Sequence, residues 1–148
     1  MADPKQQQYL SMTFAGSTFL LPGTTGFTIE QRENLTVNED SDGNASAWRV
    51  VRNDRFPAYA LDGHFQVVRR VDWERAVFVD STSGSIGVIV DDVHLLARAQ
   101  AQVAPFTPLG TAPTSVGPLF GGAWISENGV ALVLDPNALV AYLEGLGD

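Results

Sequence analysis

Few side chains in this sequence have the types and spacing that catalysis requires. His64 and His94 are its only histidines, and it contains no cysteine. Each histidine has a carboxylate nearby in sequence, but neither has a second His or Cys at helical spacing to complete a zinc site. The segment Ser83–Gly87 lacks the leading glycine of the G-x-S-x-G motif that presents a serine nucleophile. The residues therefore predict neither a zinc enzyme nor a serine hydrolase.

The segment Asn38–Gly43 matches the first half of a calcium-binding loop. Its side-chain oxygens alternate, and a glycine stands at the sixth position, where such a loop bends sharply. The twelfth position is Arg49, however, where the loop requires a bidentate carboxylate. We interpret the segment as a solvated acidic turn, with a calcium-stabilised module as an alternative. The pair Asp91 and Asp92 is likewise interpreted as the exit of a strand into solvent rather than as paired catalytic acids.

The composition excludes several classes of protein. The chain has 148 residues, 45% of them hydrophobic and 18% charged, and is therefore too apolar for intrinsic disorder. No apolar stretch approaches the roughly 18 residues that a membrane-spanning helix needs. Nine basic and 17 acidic residues give a net charge of −8, which disfavours nucleic acid and anionic membranes as partners. Because the N-terminal residues form no secretory signal, we expect a soluble cytoplasmic protein.

Short runs of apolar and β-branched residues recur about every eight to twelve positions, with turn residues between them, which is typical of an all-β barrel or sandwich. The predicted strands are Tyr9–Phe14, Ser17–Leu21, Gly26–Glu30, Asn34–Val37, Ala47–Val51, Arg55–Leu61, Arg75–Val79, Ser85–Val90, Val93–Ala97, Phe120–Ile125 and Val130–Leu134. Asn128 and Gly129 predict a tight hairpin between the last two strands, because both residue types accept positive φ. The fold class is therefore all-β.

One short helix is predicted at the C-terminal end of the chain. Asp135 is a favourable N-cap, and Pro136 suits the first helical position because it lacks an amide hydrogen. The apolar residues of one helical face then follow at i, i+3, i+4 and i+7: Leu139, Tyr142, Leu143 and Leu146. Upstream, the proline-rich segment from Ala104 to Pro118 predicts an irregular crossing loop.

Three segments of the second half resemble, in their order and spacing, the CheW-like domains that couple bacterial chemoreceptors to their histidine kinase. The first is Ile86–Leu96, which contains the family's Val-Asp and the valine that follows it. The second joins Ala104 and Pro105 to Leu119–Ala123, and the third is Val130–Leu139, similar to the closing strand and helix. Together they identify the chain as similar to this family.

The resemblance extends weakly upstream. The segment Val50–Leu61 is similar to the family's Asn-Leu-Arg-Gly hairpin and the Pro-x-x-Asp-Leu sequence after it, and its matching positions are Arg52, Pro57 and Leu61. Asn53 replaces the glycine, a mild change because both residues tolerate a left-handed turn. The polar stretch 38–46 departs from the family's pattern. The N-terminal part is therefore expected to be divergent.

The resemblance implies a single domain, residues 1–148, built from two SH3-like five-stranded barrels in one body. Residues 1–10 are expected to be a flexible N-terminus, residues 11–70 the divergent first barrel, and residues 71–148 the second barrel with the helix. In the family, the groove between the barrels takes the tip of a receptor's helical hairpin, and barrel ends dock on the regulatory domain of the kinase. The family has no cofactor and no turnover.

The matching positions also imply a set of partner-binding residues. Arg52 becomes the polar anchor of the receptor-side surface, with Val51 beside it, and Gly87, Val93 and Leu96 line the groove. The alternative for Val93 and Leu96 is ordinary core, and for Arg52 it is a solvated hairpin position.

The resemblance thus predicts a non-enzymatic adaptor that couples chemoreceptors to a histidine kinase in chemotaxis or a related chemosensory pathway. The alternative function is a small β-barrel ligand carrier or enzyme subunit whose pocket is lined by tryptophans: Trp48, Trp73 and Trp124.

Overall fold

The structure, a computed structural model, describes residues 8–39, 43–82, 84–97, 103–105, 120–126 and 129–147. Its strands are β1 (Gln8–Phe14), β2 (Ser17–Pro22), β3 (Phe27–Gln31), β4 (Thr36–Val37), β5 (Ala47–Val51), β6 (Asp54–Tyr59), β7 (Arg75–Ser81), β8 (Gly84–Val90), β9 (Asp92–Ala97), β10 (Val103–Pro105), β11 (Phe120–Ser126) and β12 (Gly129–Leu134). A 3-10 turn, Arg32–Asn34, precedes β4, and the helix α1 spans Pro136–Glu144. The all-β class and the short C-terminal helix are confirmed.

The strands form two six-stranded sheets. The order of the first sheet is β10-β11-β12-β2-β1-β9, and that of the second is β3-β7-β8-β6-β5-β4. Neighbouring strands are antiparallel except for the parallel pairs β12–β2 and β6–β8. Each sheet has one strand more than the expected five, because the short strands β10 and β4 add to its edges.

The sequence led us to expect two consecutive barrels that meet near residue 70. The two observed sheets do not divide the chain there. The first sheet combines β1 and β2 with the strands after Asp92, whereas the second consists of the continuous segment from β3 to β8. The physical reason is strand pairing: β1 pairs with β9 from Gln8 to Thr13, and β2 pairs with β12. The beginning of the chain is therefore part of the C-terminal sheet.

The second sheet curls until its two ends approach each other. Glu30 on β3 and Arg49 on β5 stand on opposite sides of the strand order, yet Arg49 Nε lies 3.4 Å from Glu30 Oε1. Arg32 continues the pairing of β3 with β7 by one residue, because its backbone N–H donates to Glu74 O at 2.7 Å and its guanidinium donates to the carbonyl oxygen of Trp73 at 3.1 Å. A strongly curled sheet of this kind is expected of a small barrel.

The core is layered because β7 and β8 are buried on both faces. Val77 and Val79 face a large apolar cluster between the two sheets and α1, and the alternate residues Ala76 and Phe78 face a second cluster inside the curled sheet. This double burial explains why both strands are almost continuously apolar in sequence. A third, small cluster lies in the first sheet around Leu20.

The helix closes one side of the core between the sheets. As predicted, the Asp135 carboxylate accepts hydrogen bonds from the backbone N–H groups of Asn137 and Ala138, which caps α1. Leu139 and Leu143 are buried against the second sheet. The chain after α1 is held by Tyr59, whose hydroxyl donates to Gly147 O at 2.7 Å.

Several expectations fall partly outside the described residues. Residues 1–7 of the expected flexible terminus are outside, whereas residues 8–10 belong to β1 and pair with β2 and β9. Most of the expected crossing loop, residues 106–118, is also outside, but Val103–Pro105 forms β10 instead of loop. Proline is tolerated there because β10 is an edge strand, which is hydrogen-bonded to a neighbouring strand on one side only.

Candidate functional site

The side chains that could do chemistry are dispersed and have structural partners. His94 Nδ1 lies 3.8 Å from Asp92 Oδ2, and both side chains are exposed. Asp91 pairs with Arg70 at 2.6 Å, and this hydrogen bond raises the pKa of the arginine. Within the described residues, no group of three His, Asp or Glu side chains could hold a metal ion. The two adjacent aspartates therefore have separate contacts and do not form a pair.

The carboxylate near the other histidine shapes a turn. Asp62 Oδ1 accepts hydrogen bonds from the backbone N–H of His64 at 2.8 Å and of Gln66 at 3.0 Å. Both bonds lower the pKa of Asp62, and the bond from Gln66 has the larger effect. The calcium-like pattern cannot be followed as a whole, because residues 40–42 lie outside the described residues.

A groove lies where the two sheets meet, and we call it the seam groove. It encloses about 320 Å³ and is lined by residues of both sheets: Gln8, Gly23, Thr25, Gly26, Phe27, Asp80 and Leu95. Gln8 and Leu95 belong to the first sheet, Phe27 and Asp80 to the second. The seam groove is thus a feature of the junction, which neither sheet forms alone.

The turn between β2 and β3 builds one wall of the seam groove. β2 belongs to the first sheet and β3 to the second, so the chain crosses from sheet to sheet within residues 23–26. Backbone hydrogen bonds hold this turn: Gly23 N donates to Gln8 O and Thr25 N to Pro22 O, each at 2.9 Å. A wall made of hydrogen-bonded backbone is preorganised for binding.

The seam groove presents apolar surface to solvent. Leu95 is 54% exposed, although it pairs with the fully buried Leu10 of β1. Phe27 packs its ring against the core between the sheets and is half-buried. Ile29, two residues further along β3 and hence on the same face, is 40% exposed. A strip of apolar side chains therefore runs from β9 onto β3, and its chemistry suits protein contact rather than catalysis.

The predicted groove residues lie on or beside this site, but most of them point elsewhere. Val93 packs half-buried against the core between the sheets, and Leu96 packs against the third cluster. Gly87 is buried inside the curled sheet, where it faces Phe78. The side chain of β9 that lines the seam groove is Leu95. Strand alternation separates Leu95 from Leu96 but not from Val93, which lies two residues before Leu95 on the same face and packs against the core.

Val51 and Arg52 lie on a different surface, at the tip of the β5–β6 hairpin. Val51 pairs with Asp54, which leaves Arg52 and Asn53 as the two turn residues. Arg52 adopts the left-handed conformation, with φ of 57°. The resemblance had placed this conformation at Asn53, the next residue. Val50 and Val51 are 54% and 41% exposed. The hairpin tip is therefore a second exposed apolar surface with a basic group on it.

The tryptophans do not line a common pocket in the part of the chain that the structure describes. Trp48 packs against the core between the sheets, beneath the Arg55 guanidinium at 4.4 Å. Trp73 is buried in the cluster inside the curled sheet, beneath Arg32 at 4.8 Å. The side chain of Trp124 lies outside the described residues. Of the three tryptophans, the two whose side chains the structure describes therefore lie in separate apolar clusters.

Sequence reasoning missed the residues that reach the seam groove from the second sheet. Phe27 and Asp80 are 53 positions apart in the sequence, and their proximity follows from the pairing of β3 with β7. For Leu95 the local pattern is not distinctive, because Leu95 lies two residues after Val93 and therefore on the same strand face.

The overall structure is similar to a solved one. No protein-family model matches the sequence, and no curated protein matches it significantly. The chain is similar to the crystal structure of the scaffolding protein TtCheW from Thermoanaerobacter tengcongensis, with a TM-score of 0.62 and 15% sequence identity over 88% of this chain and 89% of that chain. The fold is therefore CheW-like, which confirms the fold that the resemblance predicted. Among the described residues, no helix has the length and apolar character needed to cross a membrane.

Proposed function

We propose that this chain, whose fold is CheW-like, is a non-enzymatic adaptor that couples chemoreceptors to a histidine kinase in bacterial chemotaxis or a related chemosensory pathway. The observation that carries the proposal is the seam groove in a fold that matches a scaffolding protein over 88% of the chain. The adaptor acts in the cytoplasm and converts no substrate.

The shape and chemistry of the seam groove favour a helical partner. Its apolar strip, formed by Leu95, Phe27 and Ile29, spans the junction of the sheets. An amphipathic helix places apolar residues at i, i+3 and i+4 on one face, and such a face buries well in a groove of this kind. The tip of a chemoreceptor, a helical hairpin, is the partner that we assign to it.

The hairpin tip is proposed as a second contact with the receptor side. Arg52 offers a guanidinium with five donors, and the exposed Val50 and Val51 offer apolar surface beside it. Val93, Leu96 and Gly87 support binding indirectly, because their packing sets the position of β9 and of the sheet beneath the groove. The kinase regulatory domain docks on the ends of the barrels, as in the family.

The proposal is tested by measuring binding of the full chain to two purified probes from the same organism. One is the signalling-tip fragment of a chemoreceptor, and the other is the regulatory domain of the chemosensory kinase. We expect dissociation constants below tens of micromolar for each, and a ternary complex in sedimentation. Absence of binding to both probes at about 100 µM, a free energy weaker than about −5.5 kcal/mol, refutes the adaptor function.

A matched pair of variants locates the receptor site. Leu95→Asp places a charge in the seam groove, and Val71→Asp makes the same change at a side chain that is 86% exposed outside it. Burying a leucine contributes about 1.5–3 kcal/mol, so Leu95→Asp should weaken receptor binding by at least about tenfold. Val71→Asp should change it less than about twofold, since scattered surface positions contribute little. Equal effects of the two variants would remove the seam groove from the proposal.

The hairpin contact is tested with Arg52→Asn. Asparagine tolerates the left-handed conformation that Arg52 adopts, so the variant removes the guanidinium without disturbing the turn. We expect weaker receptor binding with unchanged thermal stability. Unchanged affinity would show that Arg52 is a solvated turn residue.

A further inference from the structure

We propose, resting on the function above, that the seam groove selects a partner helix that carries a basic side chain next to its apolar face. Asp80 and Thr25 receive this basic group, and the apolar face packs on Phe27 and Leu95. The proposal adds the chemistry that decides which helix binds, which neither the fold nor its similarity to a scaffolding protein specifies.

Asp80 is the acidic side chain of the seam groove. The other lining residues are glycine, threonine, glutamine, phenylalanine and leucine. In the part of the chain that the structure describes, no lysine or arginine pairs with this exposed carboxylate. An unpaired carboxylate beside apolar surface interacts strongly with an incoming cation, because the bound helix excludes water from the pair.

The position of Asp80 is set by the turn beneath it. Its backbone N–H donates to Gly26 O at 2.9 Å. Gly26 has no Cβ, and a Cβ there would lie 2.3 Å from Asp80 Oδ2 and 3.0 Å from its Cγ. The carboxylate therefore lies directly on the backbone of the turn, at a site that only glycine leaves open.

Thr25 supplies a second, independent observation. Its Oγ1 atom is buried and has no hydrogen-bond partner among the described residues. A buried hydroxyl without a partner is unfavourable and is normally satisfied by protein or ligand. Thr25 lines the seam groove next to Gly26, so a rotation about its Cα–Cβ bond turns this buried hydroxyl toward a donor that approaches Asp80. An ammonium or guanidinium group has enough donors for both.

The charge of the whole chain favours the same partner chemistry. Its net charge of −8 attracts basic segments and repels acidic ones. On a helix, a lysine or arginine three or four positions from an apolar residue lies on the same face. The segment that fits the seam groove is therefore an amphipathic helix with one basic residue at the margin of its apolar stripe.

The test compares Asp80→Asn with the control Glu33→Gln, which removes the same charge from an exposed position on the 3-10 turn. Binding of the receptor signalling-tip fragment is measured between about 50 and 500 mM NaCl. Hydrogen bonds to charged groups are strong, so Asp80→Asn should weaken binding about tenfold at low salt and flatten its salt dependence. Glu33→Gln should leave affinity within about twofold and keep the salt dependence.

Thr25→Val gives a readout that a purely structural role would not produce. The change removes the unpartnered hydroxyl with little change in shape, so the free protein should melt at a higher temperature while its affinity for the receptor fragment falls. If Asp80→Asn and Thr25→Val bind with unchanged affinity while Leu95→Asp loses binding, the selection of a basic residue is refuted. The adaptor function is not contradicted by that result. Failure of the unaltered protein to bind the fragment overturns both.

Discussion

Gly87 is the predicted partner-binding residue whose surroundings give the sharpest prediction. A Cβ added to Gly87 would lie 2.9 Å from Cε1 and 3.0 Å from Cδ1 of the Phe78 ring, and 3.1 Å from Ala58 Cβ. Phe78 and Ala58 are fully buried, and both are strand partners of Gly87. Because these contacts are shorter than ordinary Cβ contacts and lie in a buried cluster, Gly87→Ala has to displace the Phe78 ring or the neighbouring strand.

The magnitude follows from two opposing effects. Overpacking of a well-packed core costs about 1–3 kcal/mol. Removing a glycine from a strand regains about 0.5–1 kcal/mol of backbone entropy. We therefore expect Gly87→Ala to lower the free energy of unfolding by about 1–2 kcal/mol, and the melting temperature by about 2–8 °C for a domain of this size.

Urea unfolding followed by tryptophan fluorescence measures this loss, because Trp73 lies in the same core cluster as Phe78. Gly63→Ala is the matched control, since nothing lies within 4 Å of a Cβ at that exposed position. The double variant Gly87→Ala with Phe78→Leu should be more stable than the sum of the single changes predicts, by about 0.5–1 kcal/mol of coupling. A Gly87→Ala protein as stable as Gly63→Ala would refute the close packing around Gly87.

Three further predictions concern α1 and its surroundings. Leu139→Ala should cost about 2–5 kcal/mol in urea unfolding, because Leu139 is buried in the core between the sheets, and a smaller loss would mean that the helix is not part of that core. Asp135→Ala should cost about 1 kcal/mol, whereas Asp135→Ser should retain most of the stability, because serine also caps helices. Burial raises the pKa of Tyr142, and the charge of Asp62 adds to this effect. The neutral phenol therefore stabilises the fold below about pH 10, and this stabilisation is lost as the pH rises through the folded-state pKa. Tyr142→Phe also removes the hydrogen bond from the Tyr142 hydroxyl to Phe65 O, so it should lower the melting temperature at neutral pH. The melting temperature of this variant should fall less in alkaline buffer than that of the unaltered protein, and an equal fall would contradict the prediction.

The candidate site could be predicted from the sequence only in part. The resemblance located β9 as a strand of the groove, and the structure places one side chain of that strand, Leu95, in the seam groove. Of the residues named in advance, Val93 lies on the same face as Leu95 but packs against the core between the sheets, whereas Leu96 lies on the opposite face, against the third cluster. A shift of one position reverses the face of a strand residue, and the face is set by the β1–β9 register.

What the sequence alone determined is local. Each predicted strand overlaps an observed one, and the Asp135 cap of α1 is present, because alternation and capping depend on residues only a few positions apart. It also established that the histidines and carboxylates form no familiar catalytic pattern.

Only the tertiary structure decided how distant segments combine. It paired β1 and β2 with β9 and β12, which gave two interleaved sheets instead of consecutive halves, and it buried Gly87 against Phe78. It also brought Leu95, Phe27 and Asp80 to one groove. These contacts join residues tens of positions apart, and their free energy depends on surfaces that exist only after the sheets have packed, so no local pattern in the chain encodes them.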